Sequence, residues 1–219
     1  MTNPDGLGTR QPRHTRTDVV AAALEILDQH GLADLTMRRL AATLSVQPSA
    51  LYWHFANKQS LLASLADQIV ARADGPTTGL ITQPTEWIRA TRAQANALRD
   101  ALLAIRDGAE VVSSSLALSL GAASAQRCLR EAIAGGGFDP IISEIAASAL
   151  LHYILGHVSH EQQRLQADSL GVVAGSVAAD PAGVAATDAN APTQRAPFDF
   201  GITLLIDGLE LQLTSRTNH

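Results

Sequence analysis

Cysteine is almost missing from these 219 residues: Cys128 stands alone, which rules out an intramolecular disulfide framework and any multi-cysteine zinc or iron–sulfur site. Aromatic residues are also few, 4% against 46% hydrophobic, so the interior must be built from Ala, Leu, Ile and Val, the palette of packed helices. The expected fold class is therefore all-α. Lysine is scarcer still. Lys58 is the one lysine among sixteen basic residues, and together with abundant alanine this is the compositional mark of a GC-rich bacterial genome. No apolar stretch follows the N-terminus, where Asn3, Pro4, Asp5 and Gly6 lead into Arg10, Arg13 and Arg16, and no run of 18 apolar residues occurs. These absences lead to the expectation of a soluble, cytoplasmic chain without a membrane partner. The length suits one large or two modest domains.

A net charge of −5 would argue against a nucleic-acid partner if the charge were evenly spread. It is not. Residues 9–62 hold six basic side chains (Arg10, Arg13, Arg16, Arg38, Arg39 and Lys58) against four acidic ones (Asp18, Glu25, Asp28 and Asp34). That segment carries +2 and the remainder −7, a basic N-terminal part on an acidic body.

Helical periodicity runs through most of the chain. Val19, Val20, Ala23, Leu24 and Leu27 form one stripe of a helix over 15–30. Thr15 with Asp18 three places on is a capping pattern, and Gly31 sits where a left-handed terminator belongs. Thr36 opens a second helix, Met37 to Leu44. Pro48 suits the first turn of a third, Ser49 to His54, because a proline there gives up no hydrogen bond. Asn57 caps a fourth, which runs to Ala73 before Gly75, Pro76 and Gly79 interrupt. Further helices are expected over about 84–106, 116–134 and 140–166. In residues 167–197, 20 of 31 are Ala, Gly, Ser, Thr or Pro and none is aromatic, so this stretch is expected to be a weakly ordered loop. A final helix over 198–213 carries Phe198, Ile202, Leu205, Leu209 and Leu213 on one stripe and Phe200, Leu204 and Leu211 on another. Apolar on two sides, it needs two partners.

A short helix, a tight turn and a second short helix inside a basic module is the helix-turn-helix arrangement, whose second helix enters the major groove. The segment from Leu40 to Lys58, above all Tyr52-Trp53-His54 followed by Asn57-Lys58, resembles the tetracycline-repressor (TetR) family over residues 16–74. The resemblance implies a homodimer that binds a double-stranded DNA operator through its N-terminal modules and senses a small molecule in a larger helical domain. The domains read as a helix-turn-helix unit over 10–62, a connecting part of the fourth helix over 63–74, and a ligand-binding and dimerisation domain over 80–213.

The DNA-facing residues follow from chemistry beside the resemblance. Gln47, Pro48, Ser49 and Ala50 open the recognition helix, where short side chains let the backbone approach base edges or a thymine methyl. Arg38 matches a position from which tetracycline repressors reach guanine, and a guanidinium suits the O6/N7 pair. Arg39, Thr36, Tyr52, His54 and Lys58 supply donors of the kind that fix register on phosphates. Trp53 belongs to the same motif, yet as a bulky apolar side chain it reads, with Leu51, as module core. Arg10, Arg13 and Arg16 form either a minor-groove or phosphate arm or a disordered basic tail.

A weaker resemblance continues into the larger domain at Arg106-Asp107-Gly108-Ala109-Glu110-Val111, at Leu155-Gly156 followed by Glu161-Gln162, and at Gly208-Leu209-Glu210-Leu211-Gln212-Leu213. It places the chain near the tetracycline repressors proper and implies a four-helix dimer bundle made from the 140–166 and 198–213 helices of two subunits. The drug site does not carry over. Val112 stands where the family has its magnesium-binding histidine and Leu116 where it has a drug-contacting arginine. Gln94, Leu98, Asp74 and His160 replace an asparagine, a phenylalanine, a histidine and a glutamate. Magnesium needs oxygen ligands that Val112 and Leu116 lack, so the expected effector is apolar and metal-free, with no cofactor. The candidate pocket residues are Gln94, Leu98, Val112, Leu116, Ala147, Leu151, His157 and His160.

His152, His157, His160 and Glu161 do not make a metal site by spacing, since His160-Glu161-Gln162-Gln163-Arg164 lacks the second histidine of a zinc-protease motif. Cys128 reads as a small buried hydrophobe. A helical enzyme is disfavoured because the chain has no phosphate-cradling glycine loop and no G-x-S-x-G elbow. The other alternative is an architectural DNA-binding protein without an effector.

Overall fold

The computed structural model describes residues 14–73, 86–169 and 195–217, and the regular elements among the described residues are all helical. In chain order they are α1 (Arg16–His30), α2 (Met37–Thr43), α3 (Pro48–Leu51), α4 (Lys58–Ala71), α5 (Glu86–Leu103), α6 (Gly108–Ala117), α7 (Ala123–Ala134), α8 (Pro140–Ser169) and α9 (Arg195–Thr217).

The first four helices start where their caps direct. The Thr15 hydroxyl accepts from the Asp18 N–H at 3.2 Å, while the Asp18 carboxylate accepts from the Thr15 N–H at 2.7 Å. This closes a capping box and satisfies two otherwise orphaned donors. Thr36 accepts from the Arg39 N–H at α2, and Asn57 forms a second box with Ser60 at α4. Ser45 turns the chain between α2 and α3 in the left-handed region, φ 54. Val19, Ala23, Leu27, Leu35, Leu40, Leu51, Phe55, Leu61, Leu65 and Ile69 are at most 1% exposed and fill the module's interior. α3 is shorter than its expected 49–54 span, because Tyr52 to His54 close as a turn that brings Phe55 into this core.

α4 also belongs to the larger domain, where it packs against α6 and α7, so both units share one continuous core. Here the expected boundaries need correction. The 84–106 helix ends at Leu103, residues 108–117 form α6, and the 116–134 helix is broken between Ala117 and Ala123. Ser119 and Ala122 make that break with φ 54 and 63. No glycine or proline marks these two positions, and the Asp67 carboxylate of α4 holds the turn by accepting from the Ala122 N–H at 2.7 Å. Gly121 lies against α4 so closely that a Cβ would meet the Ala63 carbonyl oxygen at 2.7 Å. Of the expected 167–197 loop, residues 167–169 extend α8 and 195–197 open α9; residues 170–194 lie outside the described residues.

α8 is long and apolar enough to match a membrane span by length and composition, with 44% of that window buried inside the protein. Its inner side carries Ala147, Leu150, Leu151, Ile154 and Val158. Its outer side exposes Ile141, Ile145, Ala149, His152 and Gly156.

Candidate nucleic-acid interface and regulatory core

The amphipathic logic of the two short helices sorts the candidate residues by face. Leu40, Ala41 and Leu51 point inward, while Thr36, Arg38, Gln47, Pro48 and Ser49 are exposed and Ala50 is half-buried. Tyr52 is 52% exposed and Trp53 is 90% exposed. The core reading of Trp53 is therefore corrected: the turn that ends α3 sends Leu51 and Phe55 into the interior and leaves the indole outside. His54 and Lys58 are half-buried at the junction of that turn with α4. Arg39 lies 3.0 Å from Asp34, an exposed ion pair that leaves its remaining N–H groups facing water. One outward surface thus presents an arginine fork, an amide, hydroxyls, an indole and an ammonium without an intervening carboxylate from α2 or α3. Such a donor-rich face suits a polyanion with readable edges.

Arg16 does not sit on an arm. It lies in the first turn of α1 and reaches back to the end of α3 and to α4. Arg10 and Arg13 lie outside the described residues.

Three polar ties, none evident from sequence spacing, join this module to the larger domain. Asp107 caps α6 from the left-handed region, φ 56. One of its carboxylate oxygens accepts from the Leu32 N–H at 2.7 Å and the other from Gln166 of α8 at 2.6 Å. The neighbouring Arg106 N–H donates to Asp28 of α1 at 3.2 Å. Gly31 completes the joint: its φ is 83, and a Cβ would meet the Asp107 carboxylate at 2.9 Å. The third tie is the Asp67 contact already described. A strained, carboxylate-bridged corner of this kind persists only where its surroundings fix it, and it can pass displacement between the elements it joins.

Glu161 and Gln162 explain their place in the sequence. Glu161 receives both bonds of the Arg99 Nη2 amino group, at 2.8 and 2.9 Å, with side chains 6% and 11% exposed. Gln162 donates to the Leu102 and Ile105 carbonyls and accepts from the Ala109 N–H. Together they fasten α8 to the α5–α6 corner from which Asp107 projects.

The candidate pocket residues separate into two groups. Gln94, Leu98, Val112, Ala147 and Leu151 are buried in the interior shared by α5, α6 and α8, and Leu116 is packed against it. Gln94 donates to the Ala73 carbonyl at 3.4 Å, which ties α5 to the segment just past α4. His157 is half-buried between Tyr153 and Phe198, ring centroids 5.8 and 5.3 Å away, on the α9 side of α8. Burial, and next the charge of Asp199, push the Tyr153 phenol above its ordinary value. His160 is exposed, nine residues beyond Leu151 and so half a turn around the helix from it. The pocket reading of His160 within one protomer is corrected on that ground. Asp74 lies outside the described residues. Among the described residues, no three His, Cys, Asp or Glu side chains come together to hold a metal ion.

A family profile described as bacterial regulatory proteins of the tetR family covers residues 19–65, and one described as the tetracyclin repressor-like C-terminal domain covers 82–213. The tetracycline repressor protein class E of Escherichia coli is 35% identical over 204 residues, 91% of this chain and 92% of its own. Mycobacterium smegmatis BioQ superposes with a TM-score of 0.75 at 41% identity, covering 90% of this chain and 97% of that one. A crystal structure of BioQ with its natural double-stranded DNA operator gives 0.70 at 39% identity, with 90% and 98% covered.

Proposed function

From the premise that this chain belongs to the tetracycline-repressor (TetR) family, we propose that it is a ligand-responsive repressor that grips a palindromic operator as a homodimer and lets go when a small molecule enters its larger domain. One observation carries the reading: the helix-turn-helix buries Leu40, Leu51 and Phe55 and turns Trp53, Tyr52, Gln47 and Arg38 outward. Trp53 and Tyr52 make adjacent exposed aromatics beside polar Gln47 and Arg38, a combination that suits contact with a partner surface. Gln47, Pro48, Ser49 and Ala50 meet base edges, Arg38 reads guanine, and Thr36, Arg39, Tyr52, His54 and Lys58 hold phosphates. Selection of duplexes from a random pool should return a two-fold palindrome with half-sites one helical turn apart. A pool that stays random would overturn the reading.

Dimerisation places α8 and α9 against their two-fold mates. Phe200, Leu204 and Leu211 are 57–68% exposed on α9, beside the outer side of α8, while Phe198, Ile202 and Ile206 bind α9 to its own protomer at 0% exposure. Leu205, Leu209 and Leu213 pack partly on that same inner core. An isologous four-helix interface would cover the exposed set.

The effector enters among Gln94, Leu98, Val112, Leu116, Ala147 and Leu151 and is apolar and metal-free. These side chains offer one amide and no hard anionic oxygen. Binding there shifts the population toward a dimer whose two reading heads no longer fit successive major grooves. The Gln94 contact with Ala73 and the ties at Asp67 and Asp107 are the route by which α4 and α1 follow the pocket. Apolar compounds should raise the melting temperature equally with and without a chelator. Stabilisation that a chelator abolishes would contradict a metal-free site.

A further inference from the structure

An arginine in the first turn of a helix faces the positive end of the helix dipole, an unfavourable place for a cation without another use. Arg16 occupies that place in α1, and both of its terminal amino groups are engaged. One amino group donates to the His54 carbonyl at 3.1 Å, just past the recognition helix. The other donates to the Ser64 hydroxyl of α4 at 2.8 Å. The plane lies over the Phe55 ring, 4.3 Å from its centroid. Two residues earlier, a ring nitrogen of His14 meets the Leu44 carbonyl at the end of α2, 3.0 Å away. The start of α1 therefore reaches across the ends of both helices of the reading motif and onto α4.

We propose that Arg16 is a positioning residue for operator binding, a clamp that sets the end of the recognition helix against α4, and not a contact to DNA. The planar fork matters more than the charge: two donors at fixed angle span a carbonyl and a hydroxyl on different helices while the face stacks on Phe55. When α4 moves, Ser64 moves with it, and the same guanidinium carries the displacement to His54 and the recognition turn. The proposal rests on the reading of this module as an operator reader.

The test measures affinity against salt for two duplexes, the palindrome selected by the wild-type protein and a random sequence. Arg16→Ala should lower operator affinity by roughly tenfold, as expected for loss of two charge-assisted bonds, while affinity and salt slope on the random duplex stay at the wild-type value. Arg16→Lys keeps the charge but not the fork and should fall with Arg16→Ala. Ser64→Ala removes one leg at a residue outside the proposed DNA-contact set and should give a smaller loss in the same direction, with Arg16→Ala/Ser64→Ala no weaker than Arg16→Ala alone. If Arg16→Ala does not fold, the Ser64→Ala result decides. A salt slope reduced by about one on both duplexes, restored by Arg16→Lys, would make Arg16 a phosphate contact and overturn the proposal. So would unchanged operator affinity in Arg16→Ala or, where that variant does not fold, in Ser64→Ala. Wild-type protein that prefers no palindrome would instead remove the reading beneath it.

Discussion

The reading module and the regulatory domain keep the residues proposed for DNA and effector contact in opposite places. In the module, Trp53, Tyr52, Arg38 and Gln47 stand on an outward face, each within about fifteen residues of the others along the chain. In the regulatory domain, Gln94, Leu98, Val112 and Leu151 are buried and come from three helices. The first arrangement suits a rigid external target such as a duplex, and the second suits a small molecule that must be enclosed. The contrast also teaches where regulation must lie. A buried site can govern an exposed one only through what joins them, and here that is α4 with the carboxylates of Asp67 and Asp107.

The largest expected effect breaks the pairing of two modules and leaves each one intact. Phe200→Glu with Leu204→Glu should give soluble monomers in sedimentation and lose about 10²–10⁴ in operator affinity, the avidity of the second half-site. A variant that remains dimeric would place the interface elsewhere. Next comes the regulatory domain's internal frame. Arg99→Ala leaves Glu161 buried without its partner and should cost about 3–5 kcal/mol of unfolding free energy, measured by urea denaturation. Far smaller loss would mean that water reaches the pair.

Asp107→Ala addresses the joint. Operator affinity without effector should change little, while the effector-induced drop, within the usual 5–150-fold range of such coupling, should shrink toward none. An undiminished drop would take Asp107 out of the pathway. Within the module, Lys58→Ala should weaken binding to all duplexes about equally and lower the salt slope by roughly one. A loss confined to one sequence would make Lys58 a base reader.

The smallest effect concerns acid. The Thr15 backbone and side-chain bonds hold the Asp18 carboxyl below its ordinary range. A lowered folded-state value means that the stabilisation is complete above the unfolded pKa and is lost as pH falls through the folded one. Hydrogen exchange at α1 should therefore be pH-independent in its protection near neutrality and weaken in strong acid, with Asp18→Ala showing no such step. An identical acid step in that variant would assign it to another group.

This same contrast explains what the sequence makes readable. α1, α2 and α4 announce themselves through Thr15, Thr36 and Asn57, because each cap is a local bond within three residues of its start, and α3 through Pro48, whose ring suits the first turn without any side-chain cap. The proposed DNA-contact set is also local, and only Trp53 departs from its side-chain type, being sent outward by a turn whose interior place goes to Phe55. The boundaries of α6 and α7 were illegible for the opposite reason. Ser119 and Ala122 take left-handed conformations that their side chains do not favour, and the partners of Ala122 and Asp107, namely Asp67, Leu32 and Gln166, lie 55 to 75 residues away. No local window contains both halves of such a contact. Arg16 belongs to the same class: its position suggested either a DNA-binding arm or a disordered basic tail, and its partners are 38 and 48 residues distant.

The central claim is that the pocket controls the spacing of two reading heads. It is tested most directly by the distance between spin labels at Glu25→Cys, exposed on α1 and outside the proposed DNA-contact set, in the two protomers of a Cys128→Ser background. That distance is measured with operator, free, and with a stabilising apolar compound, and the recognition-helix separation follows from it through the packed module. The account predicts a recognition-helix separation of about 34 Å on operator and a shift of a few Å, with a new distribution, when the compound binds. One unchanged distribution in all three states, with operator released all the same, would contradict it.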